Sequence, residues 1–161
     1  MLEILVYTPI WVYGLFVILL YLGWQQAKTR AVKRTMIYVL PTAMICLSFM
    51  GVMSSFGMSS QTLGYWIMAL LMATYIGVQY FPVTNASFNH HTQQFQVPGS
   101  WVPLILMMAI FFTKYLVGVA VALNPEFIEL NPTIVICSLL YGGLSGVFAS
   151  RAITIARASY D

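Results

Sequence analysis

Long apolar stretches separated by short polar ones run the whole length of this chain. A helix that crosses a bilayer needs about 20 predominantly apolar residues. Five stretches reach that length, at about residues 2–24, 36–56, 63–83, 101–123 and 133–150. The pattern predicts an all-α integral membrane protein, a bundle of five transmembrane helices formed as a single domain over residues 1–161.

The connections differ in character. Residues 25–35, QQAKTRAVKRT, are polar and basic, while residues 57–62, GMSSQT, make a tight link between antiparallel neighbours. The longest connection, 84–100, alternates Gln94 and Gln96 with Phe95 and Val97, as a half-exposed strand does. It predicts a short strand or hairpin on the inner membrane surface. Pro98-Gly99 then reads as a turn, Ser100 as the N-cap of the fourth helix and Trp101 as an interfacial aromatic. Residues 124–132 are acidic with a proline at each end, and the tail from Arg151 extends the last helix. Pro9 and Pro41 fall within the first and second helices, where each removes a backbone hydrogen bond.

Composition agrees with the pattern. The chain is 60% hydrophobic and 7% charged, whereas soluble domains carry roughly 25% charged residues. A net charge of +3, with no basic stripe, argues against nucleic-acid binding. Glu3 stands where a secretory leader would carry positive charge, so the first apolar run is expected to be a retained helix.

Charge placement sets the orientation, because basic residues collect on the cytoplasmic side. Lys28, Arg30, Lys33 and Arg34 follow helix one, and Arg151 and Arg157 follow helix five. An odd number of spans puts both clusters inside, with the N-terminus outside and the C-terminus cytoplasmic. Glu3, Glu126 and Glu129 then lie outside.

The seventh basic residue, Lys114, stands inside the fourth apolar stretch. Such a lysine costs about 2.5–3.5 kcal/mol on the insertion scale. It is a candidate functional or structural polar site together with Tyr115, with Glu3, Glu126, Glu129 and the hydroxyls of Tyr7 and Thr8 as possible partners. Gly118, one turn on, is expected to let another helix approach.

Other features carry less. Gly142 and Gly146 share one face of helix five, a spacing that serves packing within the chain or a homo-oligomer. Met50, Met53 and Met58 offer soft ligands of the kind that suit Cu(I), yet methionine also fills apolar gaps. His90 and His91 are adjacent in a loop with no nearby carboxylate or cysteine, and the glycosylation-like NAS at Asn85 falls on the cytoplasmic side. Cys46 and Cys137 read as buried, inert thiols at different depths. These residues compose no catalytic, metal or cofactor motif.

Residues Gly99, Ser100, Phe111, Lys114, Tyr115, Gly146 and Arg151 form a glycine–serine turn, an aromatic–basic–tyrosine cluster and a glycine-containing last helix ending in arginine. In this the chain resembles small bacterial multi-pass inner-membrane proteins, distantly the cytochrome c biogenesis-associated CcdC type. The resemblance implies a bacterial inner-membrane location and transfers no activity. The sequence thus favours a non-enzymatic accessory, binding or small-solute-handling protein whose partner is the lipid bilayer. The competing class is a membrane redox or enzyme component, or a copper-handling protein.

Overall fold

The structure, a computed structural model, describes residues 9–83, 86–89, 93–124, 126 and 130–157. Among the described residues there are five α-helices: α1 (Ile10–Gln26), α2 (Arg34–Phe56), α3 (Ser60–Tyr80), α4 (Val102–Leu123) and α5 (Asn131–Arg157). Helices α2 to α5 are each long and apolar enough to cross a membrane. The described part of α1 is shorter, at 17 residues.

The termini of these helices follow local chemistry more than hydropathy. Pro9 occupies the N-cap of α1, with φ −59° and ψ 142°, so it precedes the helix and does not kink its interior as the apolar run suggested. Pro41 does lie inside α2. The Ser59 hydroxyl accepts the Thr62 backbone N–H at 3.1 Å, which starts α3 earlier than its apolar run. Gly57 closes α2 with φ +70°, a left-handed conformation that glycine adopts without steric cost. At α4 the N-cap is Trp101 rather than Ser100, whose hydroxyl accepts the Val102 N–H at 3.3 Å. The last helix continues to Arg157, as its tail predicted.

A small antiparallel sheet caps one end. Its order is β1 (Arg30–Lys33), β3 (Gln94–Val97), β2 (Ser87–Asn89). The strand expected from the Gln/Phe/Gln/Val alternation is β3, and β2 completes its hairpin. The sheet also recruits β1 from the connection read as only polar and basic, so it is not confined to the third connection. Phe95 faces Val32 on one side and Phe88 on the other. Phe95 is fully buried and packs with Val97 against Ile37, Ala152 and Ile155, which seats the sheet on the ends of α2 and α5.

Helix α5 is the centre of the bundle. It packs along the length of α3 and against α2, while α1 lies on α4. The α3–α5 seam is set by small residues. A Cβ on Gly142 would strike the Trp66 carbonyl, and one on Gly146 the Leu70 carbonyl and Ala73. Thr74 donates to the Leu70 carbonyl of its own helix at 2.7 Å and, across the seam, to the Gly146 carbonyl at 3.2 Å. The glycine face is therefore filled within the chain, and self-association through it would have to displace α3. Close approach recurs between α1 and α4, where Leu104 sits against Gly23 and Phe16 meets Phe111 at 5.4 Å.

Candidate functional site

Lys114 is held on the seam between α4 and α2. Its Nζ donates to Ser54 Oγ at 3.0 Å, and Ser54 Oγ in turn donates to the Gly51 carbonyl at 3.1 Å. Among the described residues this partner comes from α2. Ser54 lies in the last turn of α2, where the carbonyl end of the helix favours a cation. That geometry accounts for a lone lysine in an apolar helix without requiring a ligand. Gly118 is exposed and open around its Cβ position, so among the described residues no helix packs there in the way expected. Tyr115 stacks its ring on Phe111 at 6.4 Å. Glu126 is exposed, and its backbone N–H bonds Asn124 Oδ1 at 3.2 Å. Glu3, Glu129, Tyr7, Thr8, Asn85, His90 and His91 lie outside the described residues.

The soft ligands do not gather. Met50 and Met58 are exposed, while Met53 packs against the core. Both cysteines are free, but Cys46 is exposed on α2 where burial was expected, and only Cys137 is buried. The two thiols do not form a paired redox site.

A polar thread crosses the bundle interior. Trp66 Nε1 donates to Ser48 Oγ at 2.9 Å, and Ser48 Oγ donates to the Tyr141 carbonyl at 2.8 Å. Tyr141 is fully buried, with its ring against the Cα hydrogens of Gly51. The hydroxyls of Ser138, Tyr141 and Ser145 are buried with no protein partner. An unsatisfied buried hydroxyl costs about 1–3 kcal/mol unless a water bridges it.

The pocket is elsewhere, where the sheet meets the helix ends. Its cavity volume is about 50 Å³, and it opens to the surface. Gln26 of α1, Arg30 of β1 and Arg151 of α5 are its polar lining residues, and Val32, Ile37, Leu40, Pro41, Val97, Pro103 and Phe148 line it with apolar ones. Three local features hold it open. The Ser100 N–H donates to the Gln26 carbonyl at 2.9 Å, tying the end of α1 to the turn before α4. Gly99 lies so close to the Ala27 carbonyl that no side chain fits there. Strand β1 alternates, so Arg30 and Val32 turn inward while Ala31 and Lys33 are exposed.

Both arginines are half-buried. Burial pulls the Arg30 guanidinium below its ordinary pKa, because water no longer solvates it fully. The one carboxylate among the described residues is Glu126, which belongs to the connection between α4 and α5 at the opposite end of the bundle. Among the described residues the pocket thus has two arginines and an amide side chain in its lining and no carboxylate.

None of these three polar residues stood out as a site in the sequence. Arg30 served only as a marker of orientation, and Arg151 as that and as the arginine that ends the last helix in the resemblance. A signal did exist at Arg151. Ala152 and Ile155 carry the buried stripe of α5 past it, so the helix still faces the core at that point.

The model of a family of unknown function, DUF6622, matches residues 1–161. The chain belongs to the DUF6622 family. No curated protein and no solved structure is significantly similar to it. The family match brings no link to the CcdC type, so the chemistry of this DUF6622 chain rests on its own geometry.

Proposed function

We propose that the chain is a non-enzymatic binding protein of the bacterial inner membrane, holding a small solute at the cytoplasmic end of its bundle. It crosses the bilayer five times, with its N-terminus outside and its C-terminus inside. The observation that carries the binding role is the pocket. Its lining offers two arginines, a glutamine and apolar groups, and among the described residues includes no serine, cysteine, histidine or carboxylate to act as nucleophile or base. Such a surface suits recognition of a ligand rather than its conversion.

Three observations support the membrane arrangement. The pocket end also carries Lys28, Lys33, Arg34 and Arg157, all exposed, as a cytoplasmic face should. Helix α1 lies along α4, and its 17 residues span roughly 26 Å at about 1.5 Å per residue, close to the thickness of a hydrocarbon core. The Trp24 and Trp101 rings meet edge to face at 6.0 Å, one at the end of each helix, in the position of an interfacial belt.

A periplasm-active reporter fused to the C-terminus tests the topology and is expected to be silent. A thermal-shift panel of anionic, neutral and cationic small solutes on the purified full chain tests the binding role. At least one class should raise the melting temperature. A panel without any effect refutes a binding role.

A further inference from the structure

We infer that Arg30, Arg151 and Gln26 form a site for a phosphate-type oxyanion, an assignment that rests on the binding role proposed above and names its ligand class. The pocket gathers two guanidiniums from elements far apart in sequence, one on a strand and one on a helix. A guanidinium presents a planar fork of N–H donors that matches paired oxygens. A carboxylate has two oxygens and is filled by one fork. A phosphate group has more, and accepts two forks together with an amide N–H.

Charge bookkeeping leads to the same ligand. Two half-buried cations share one pocket, and the single carboxylate among the described residues is at the far end of the bundle. Like charges brought together in a partly desolvated place repel, and a bound anion relieves that repulsion. Lys28, Lys33, Arg34 and Arg157 surround the mouth end with further positive charge and raise the local concentration of anions.

Two sources supply a phosphate there: the headgroup of a membrane lipid, or a soluble phosphate ester. The walls favour the lipid. Leu40, Pro41, Pro103 and Phe148 belong to the helices themselves, so the pocket continues from the basic end toward the apolar body of the bundle. A headgroup seated on the arginines would find apolar side chains beside its first methylenes.

The test uses the full chain in detergent micelles, read by native mass spectrometry with equal amounts of phosphatidylglycerol and phosphatidylcholine. The lipid source predicts at least fivefold preferential retention of phosphatidylglycerol. The preference should vanish in Arg30→Gln/Arg151→Gln and persist in Glu126→Gln, an exposed change of charge at the far end of the bundle. The soluble source predicts instead that inorganic phosphate or glycerol phosphate raises the melting temperature of the wild type and not of the double variant, without lipid preference. If the glutamine pair does not fold, Arg30→Lys/Arg151→Lys keeps both charges but lacks the forks, and selectivity should fall at least threefold. Anion binding that is indifferent to both pairs of substitutions, or absent, overturns the site. If a neutral or cationic solute from the earlier panel still stabilises the protein, the oxyanion assignment falls alone. If none does, the binding role falls with it.

Discussion

One helix, α5, is built in two opposite ways within a short distance. Over residues 142–150 it presents Gly142, Gly146 and Ser150 to α3, so closely that backbone meets backbone. Over residues 151–155 it presents Arg151, Ala152 and Ile155 to a hollow shared with β1, α2 and β3. Small residues close the first surface, whereas charge and the sheet keep the second open. The contrast teaches where tolerance should lie. The closed part should answer to side-chain volume and the open part to side-chain chemistry.

The largest effect should come from the closed part. Gly146→Leu forces a side chain into the Leu70 carbonyl and Ala73, and overpacking of this kind should cost on the order of 3 kcal/mol or more. Yield of folded protein and reversible unfolding in mild detergent would check it. A near-normal variant would mean that the seam is looser than its geometry indicates.

The open part should behave differently. Arg151→Gln should leave stability within about 0.5 kcal/mol of the wild type, the ordinary range for residues away from packed contacts. Retention of an anionic ligand should fall about tenfold. A destabilised variant would make Arg151 a packing residue and erase the contrast.

Within the closed part, chemistry still contributes where polar groups are buried. Trp66→Phe removes the donor to Ser48 but leaves the Ser48 bond to the Tyr141 carbonyl. One lost neutral hydrogen bond should cost about 1 kcal/mol. Hydrogen exchange or thermal unfolding would register it, and no change would show that the indole is held by packing alone.

The smallest effect is expected at Lys114→Met. Among the described residues the lysine has one hydroxyl partner, at a half-exposed seam, so its loss should change stability by less than about 1 kcal/mol. Loss of a ligand response without loss of stability would instead move the functional site to this end of the bundle.

Much of the fold was legible because a bilayer demands length and apolarity, and both can be counted. Strand β3 was legible from its alternation. Strand β1 was not, since RAVK is short and its partner β3 lies far along the chain. The exposure of Cys46 was also beyond reach, because a helix that is apolar all round does not announce which face is inward. The glycine spacing was visible but its partner was not. The paired arginines escaped for a related reason. Each looked like a topological marker alone, and only the strand pairing of β1 with β3 brings Arg30 into the hollow with Arg151.

That strand pairing bears on the order of assembly. Arg30 is opposite Val97 in the finished sheet, so the edge strand leaves the ribosome long before its mate exists. At about 5–20 residues per second, the delay is several seconds, during which α2 and α3 are made and inserted. The first helix waits longer still for α4, its main neighbour. The binding hollow, which needs the end of α5, is among the last features to form. A nascent chain stalled before residue 150 would hold four of its helices yet lack a finished site.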